Sequence, residues 1–162
     1  MISAILLAAG QSQRMKGQNK LLKHYKGKYL INHILNTLVK SKVNNIFLVL
    51  GFQNLKVRKI IIKSKKIQCI YNKKFKSGLS SSIQAGLNKI SKKNIGFLIV
   101  HADMPLISKG IINILCSVVK NKDKEIFVPV HKKKLGNPLA FKYSMIKSLK
   151  KIKGDRGAKK LI

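Results

Sequence analysis

Residues 2–22 read ISAILLAAGQSQRMKGQNKLL. A largely apolar run, Ile2 to Ala8 with Ser3 as its one polar residue, enters a turn of small residues, Ala8-Ala9-Gly10. A polar loop carrying Arg14, Lys16 and Lys20 follows. A run of this length without polar alternation predicts a strand covered on both faces, as in a parallel sheet. Small residues at its end let the backbone approach a ligand closely. Successive N–H groups there can cradle an anion. Arg14 offers a fork for phosphate oxygens and Lys20 a point charge. These are the parts of a triphosphate cradle, with neither the Walker spacing nor G-x-G-x-x-G.

The rest of the chain repeats the strand–helix alternation. Leu30 to Val39 has helical spacing of apolar residues, and Asn45 to Leu50 reads as a second strand ending at Gly51. Leu55 to Ile62 reads as a helix and Ile67 to Tyr71 as a third strand. Ser77-Gly78 opens a helix with Leu79, Ile83, Leu87 and Ile90 on one stripe. Ile95 to Val100 reads as a fourth strand, and Ile107 to Val119 as a helix with Ser108 as its cap. Ile126 to Val130 and Leu139 to Phe141 are the last strands. Tyr143 to Ile162 reads as helical with a break at Gly154. The expectation is one α/β domain over residues 1–162, a mostly parallel sheet covered on both faces. Ligands of such folds sit at the carboxyl ends of strands. That rule selects Ala9-Gly10, Gly51, residues 72–82 and residues 101–105.

Composition narrows the chemistry. The 162 residues hold 35 Lys and Arg against four acids, a formal net charge of +31. The lysines are spread along the whole chain and arginine occurs only at Arg14, Arg58 and Arg156. The pattern fits a solvated lysine coat better than a specific nucleic-acid face. The only carboxylates are Asp103, Asp123, Glu125 and Asp155, which leaves little room for paired-carboxylate hydrolysis or a zinc cluster. His24, His33 and His131 have no motif partners, and no Ser-His-Asp or Cys-His arrangement emerges. Cys69 and Cys116 are far apart and read as buried thiols in a reducing compartment. No apolar run approaches the ~20 residues of a membrane helix. The N-terminal run lacks a basic lead, so a cytoplasmic protein is expected.

Four further motifs remain. Ile99-Val100-His101-Ala102-Asp103-Met104-Pro105 delivers one carboxylate at the end of a strand, well placed for Mg²⁺, a hard cation that bridges to phosphates. The plain alternative is a turn or capping Asp. Lys76 to Ser82, KSGLSSS, sets three serines at a helix start, for capping or for a nucleotide. Leu135-Gly136-Asn137-Pro138 is a turn whose Asn137 could donate to a substrate. In Gly154-Asp155-Arg156-Gly157-Ala158, Asp155 either caps the last helix or serves as a ligand.

In this order the pieces LAAGQSQRMKGQNK, GLSSS, DMP, GNP and GDRGA resemble the molybdenum cofactor cytidylyltransferase branch of the small nucleotidyltransferases, over nearly the whole chain. The resemblance implies a Rossmann-like three-layer fold of the nucleotide-diphospho-sugar transferase type. It also implies Mg²⁺-dependent transfer of CMP from CTP to a molybdopterin-type phosphate, with release of pyrophosphate. By motif position, Arg14, Lys20 and Asp103 would be catalytic. Leu7, Ala8, Ala9, Gly10, Arg14, Lys20, Ser80 and Ser81 would bind the nucleotide, and Gly136, Asn137 and Pro138 the acceptor. Asp103 would hold the metal, with Asp155 as a second ligand. Ala8-Ala9-Gly10 corresponds to the family's cytidine-type turn. Lys16 is inserted after Met15, and Leu79 replaces the usual Met. The family usually continues beyond the point matching Ile162 with a strand and a D-x-D-T-P-x-D segment, for whose metal-binding part Asp155 would be a partial substitute. A molybdenum enzyme as protein partner, a sugar phosphate acceptor, GTP-dependent guanylyl transfer, and a non-catalytic nucleic-acid-binding or cofactor-chaperone role stay open as alternatives.

Overall fold

The computed structural model describes residues 1–11, 17–155 and 157–162. Its centre is β1 (Ile2–Ala8), every residue of which is buried. β2 (Asn45–Leu50) and β4 (Gly96–His101) flank it in parallel, and β3 (Ile67–Tyr71) adds to β2 in parallel. β6 (Leu139–Lys142) pairs antiparallel with β4 on one side and with the two-residue β5 (Ile126–Phe127) on the other. The six-stranded order is therefore β3-β2-β1-β4-β6-β5, mostly parallel with one reversed strand.

The alternation of β1 side chains divides the core into two layers. Ala4, Leu6 and Ala8 face one cluster with α1 (Leu30–Val39), α2 (Asn54–Ile60) and α4 (Lys109–Asn121). Ile5, Leu7 and Ala9 face the other with α3 (Leu79–Leu87) and α5 (Ile146–Lys150). Helices thus cover both faces, which gives the three-layer α/β/α arrangement. Gly86 lets α3 press onto the sheet: a Cβ there would lie 2.3 Å from Cγ2 of Ile5. Ser108 caps α4 by accepting from the Ile111 N–H at 3.3 Å, as its sequence position predicts.

The sequence expectations need correction at five places. α2 ends at Ile60 rather than Ile62. β5 stops at Phe127 rather than Val130, since Pro129 has no N–H for a ladder. Val130–His131 instead forms a hairpin with Lys134–Leu135, turning through Lys132 and Lys133, both with positive φ. The stretch 143–162 is not one broken helix. α5 ends at Lys150, and the chain then crosses to α3, where Nε2 of Gln84 donates to the carbonyls of Lys150 (3.2 Å) and Ile152 (3.0 Å). Cys69 is only half-buried, because β3 is an edge strand; Cys116 is buried, and both are free thiols. Among the described residues, no helix is long and apolar enough to cross a membrane.

Candidate nucleotide site

The carboxyl ends of β1 and β4 open into a cleft of about 600 Å³, within the usual range of small-molecule sites. Its walls include Leu7, Ala8, Ala9 and Gly10 from the first turn, Lys20, then Phe75, Lys76, Gly78 and Ser82. His101, Ala102, Asp103 and Asp155 complete it. The parallel register sets the geometry, since Leu7 pairs with His101 and the Ala102 N–H donates to the Leu7 carbonyl at 3.0 Å. Two strand ends 94 residues apart in sequence numbering are thereby brought to the same level.

Lys20 reaches this level through a small buried device. The Asn19 side chain caps the 3-10 turn Lys20–Leu22, its Oδ1 accepting from the Leu21 N–H at 3.0 Å. Its Nδ2 donates to the Phe52 carbonyl at 3.2 Å, which ties the turn to the end of β2. Lys20 Nζ then donates to Asp103 Oδ2 at 2.5 Å. Half-burial pushes the Asp103 carboxyl up. The hydrogen bond and charge of Lys20 outweigh that, with help from His101 and Asp103's own backbone, and hold it below the usual carboxylate range. For His101, burial pushes the imidazole down. Asp103 works against this, while Lys159 and Lys20 add to the fall, so the ring is held neutral around pH 7.

The opposite wall rests on close approaches. Gly78, at φ +102°, is packed so that a Cβ would lie 2.5 Å from the Gly154 carbonyl carbon. Asp155 Oδ1 accepts from the Leu79 N–H at 3.2 Å, and the Gly154 carbonyl accepts from the Ser80 N–H at 3.1 Å. Asp155 therefore caps α3 and not, as one sequence option had it, the last helix. Asn72, at the end of β3, donates through Nδ2 to the hydroxyls of Ser81 (2.9 Å) and Ser82 (3.1 Å). Of the three serines it is Ser82 that lines the cleft. Ser80 is buried, and Ser81 Oγ lies within hydrogen-bonding distance of the Lys74 and Gly78 carbonyls, each at 2.8 Å.

The structure thus gathers Leu7, Ala8, Ala9, Gly10, Lys20, Asp103 and Asp155 around one space. Arg14, expected there as well, lies outside the described residues. Gly136 and Pro138 are not among the cleft-lining residues; Asn137, joined to Pro138 by a cis peptide bond, lines a second, smaller cavity next door. The strand-end rule selected residues 72–82, which hold Asn72, Phe75 and Lys76, but sequence reasoning gave no site role to these three or to Asn19. Asn19 carried a usable signal, a capping residue just before Lys20-Leu21-Leu22. Asn72 carried only its place at a strand end, since its partners Ser81 and Ser82 are set by packing.

For a divalent cation the available donors are few. No group of three or more His, Cys, Asp or Glu gathers among the described residues. One ionised carboxylate, Asp103, with Asp155 also lining the cleft, still fits Mg²⁺ or Mn²⁺. Such ions are commonly held by one or two carboxylates, with water and substrate phosphates completing the shell.

A family model, described as a MobA-like NTP transferase domain, matches residues 4–162. A 2-C-methyl-D-erythritol 4-phosphate cytidylyltransferase of Dehalococcoides mccartyi is 38% identical over 63 residues, which are 38% of this chain and 28% of the relative. A probable molybdenum cofactor guanylyltransferase of Clostridium perfringens is 33% identical over 139 residues, 82% of this chain and 61% of the relative. The chain thus spans less than two thirds of the length of either. Among solved structures, Rv0371c of Mycobacterium tuberculosis superposes with a TM-score of 0.87 at 22% identity, covering 99% of this chain and 80% of that one. Its complex with manganese gives a TM-score of 0.81 at 20% identity, with the same coverage. At these identities the likeness is one of fold.

Proposed function

The chain belongs to the MobA-like NTP transferase domain family, and on that premise we propose that it transfers a nucleotidyl group from a nucleoside triphosphate to a phosphorylated small molecule. The observation that carries this reading is the Lys20–Asp103 pair in a cleft edged by the Ala8-Ala9-Gly10 turn. Cation, carboxylate and backbone donors converge at the carboxyl ends of β1 and β4, where such folds bind ligands. The whole of residues 1–162 is taken as one catalytic unit.

In the reaction, an oxygen of the acceptor phosphate forms a bond to the α-phosphorus of the triphosphate. The bond from the α-phosphorus to the α–β bridging oxygen breaks, and pyrophosphate leaves with that electron pair. Catalysis of this kind is positioning plus charge stabilisation rather than protein nucleophilicity. The Gly10 turn lies where backbone N–H groups can meet phosphate oxygens. Lys20 sets its ammonium charge on the cleft wall beside Asp103, where it can face phosphate oxygens. Asp103, with Asp155 in support, would hold Mg²⁺, which when bound neutralises phosphate charge. His101, held neutral, adds no second cation to the Lys20 charge. Arg14 is assigned to the triphosphate by its motif position alone. Ser82 replaces Ser80 and Ser81 as the serine assigned to the nucleotide, because it lines the cleft.

CTP is the donor proposed first, from the Ala8-Ala9-Gly10 turn, with a molybdopterin-type phosphate as acceptor. Guanylyl transfer is the second reading, favoured by the 33% identity to a probable guanylyltransferase over 82% of the chain. The test is calorimetric titration of CTP, GTP and ATP with Mg²⁺ at moderate salt, with Asp103→Ala alongside. A preference for CTP that the substitution weakens supports the reading. GTP preference selects the second. Equal, salt-sensitive binding of all three, unchanged in Asp103→Ala, would assign the binding to the lysine coat and overturn both.

A further inference from the structure

α4 carries two apolar faces, and the chain covers only one of them. At about 100° per residue, Ile112, Leu115, Cys116 and Val119 fall on one side, and all four are buried. Gly110, Ile111, Ile114, Ser117, Val118 and Asn121 fall on a neighbouring side. There Ile114 is 58% exposed and Ile111 37%, Val118 is half-buried and the other three are exposed. In a chain of net charge +31, residues 110–119 contain no charged side chain. By the same spacing Lys109 and Lys120 fall on the flank of Asn113, whose Oδ1 accepts from the Lys42 N–H at 2.9 Å. Gly110 is an independent sign. Only proline is a poorer helix former than glycine, and nothing inside the chain requires glycine at 110. Its φ is not positive, and a Cβ there would meet only Ser108 Oγ, at 3.6 Å, an ordinary contact. The space left open beside Ile111 and Ile114 lets a second helix come close.

We propose that this face of α4 is an interface between two copies of the chain, packed antiparallel about a two-fold axis near Ile114. A contact of this kind sets one patch against the same patch of the other copy. Ile114, near the middle of the 13-residue helix, meets its own counterpart, and Ile111 lies against the Ser117–Val118 part of the other helix. The reversal also carries Asp123, one of the chain's four acids, toward the N-terminal end of the other α4, where negative charge is favoured. Two copies of net charge +31 repel each other at long range. Their association is least opposed where the local charge is low and exposed apolar side chains gain by burial, and α4 offers both. At about 1.5 Å per residue the contact is about 20 Å long. That is the small end of specific interfaces, so the dimer is weak.

The test is sedimentation equilibrium of the full chain from about 5 to 500 µM, the span suited to a small interface. It is run at about 0.05 M and about 0.5 M salt. A reversible monomer–dimer equilibrium is expected, strengthened by salt, because screening removes the repulsion and leaves the apolar contact. Ile114→Lys should weaken it at least about tenfold. Leu55→Lys, at a 69% exposed leucine on α2, should leave it unchanged. Gly110→Gln puts a good helix former into the open space. It should weaken the dimer about tenfold while the melting temperature of the dilute chain does not fall, so a misfolded variant cannot mimic the result. A wild type that is monomeric at every concentration overturns the proposal and leaves an acidic partner as the occupant of this face. Association that salt weakens, that Ile114→Lys leaves unchanged, or that Leu55→Lys weakens equally, also overturns it.

Discussion

Lys20 and Asp103, 83 residues apart in the chain, place Nζ and Oδ2 2.5 Å from each other across the end of the sheet. The two side chains remain 43% and 37% exposed. Pairs this exposed contribute only about 0–1 kcal/mol to stability. The pair is therefore a poor candidate for holding the fold and a good one for charge management in the cleft.

Substitution of Lys20 by Met should separate these roles. The urea midpoint should barely move. Turnover, followed by pyrophosphate release, should fall about 10²–10³-fold, as when a positioned electrostatic donor is removed from a transition state. A large loss of stability with turnover unchanged would make the pair structural.

Acid should act through Asp103. Its folded-state carboxyl lies below the usual range, the largest opposing influence being burial and the winning one Lys20. A depressed folded value means that Asp103 contributes stability above its unfolded pKa. The contribution is lost as pH falls from there through the lower folded value. Chemical denaturation of wild type and Asp103→Asn should therefore differ most near neutrality and converge in acid. Divergence on acidification would contradict the sign.

Two glycines should behave oppositely. At Gly78, positive φ and the Gly154 carbonyl carbon 2.5 Å from a Cβ make alanine strained. Gly78→Ala should cost about 1–3 kcal/mol of stability. Gly10 has nothing within 4 Å of a Cβ and lacks positive φ. Gly10→Ala should leave stability within about 0.5 kcal/mol. It should nevertheless weaken triphosphate binding about tenfold by filling the space the ligand approaches. Paired thermal and calorimetric measurements decide both cases.

Asp155 serves α3 through one oxygen while lining the cleft. Asp155→Ala should lose about 1 kcal/mol with the cap. Asp155→Asn keeps a capping carbonyl and should be nearly as stable as wild type. If Asp155 supports the cation, both variants should need more Mg²⁺ for half-maximal nucleotide binding. An unchanged Mg²⁺ requirement in Asp155→Asn would limit the residue to capping.

Much of this was legible in the chain. The six apolar residues of β1, the helical stripe of α1 and the Ser108 cap follow from local periodicity and hydrogen-bonding chemistry. So does the placement of Asp103 after an apolar strand, because strand ends are where a parallel sheet opens; Lys20 needs the contact of Asn19 with Phe52 as well. The extent of the last third was less legible. Pro129 diverted the chain into a hairpin, and docking on α3 through Gln84 overrode the helical pattern after Lys150.

By itself, then, the sequence determined the alternating α/β order, the buried central strand and which charged residues leave strand ends. Those properties depend on side-chain pattern over a few residues. Only the tertiary structure decided that Ser82 rather than Ser80 or Ser81 lines the cleft, that Asp155 caps α3 and that Asn137 lines a second cavity. These depend on contacts between segments distant in the chain, such as the 76-residue separation of Leu79 and Asp155. Local propensity carries no information about such contacts until the packed core brings the segments together.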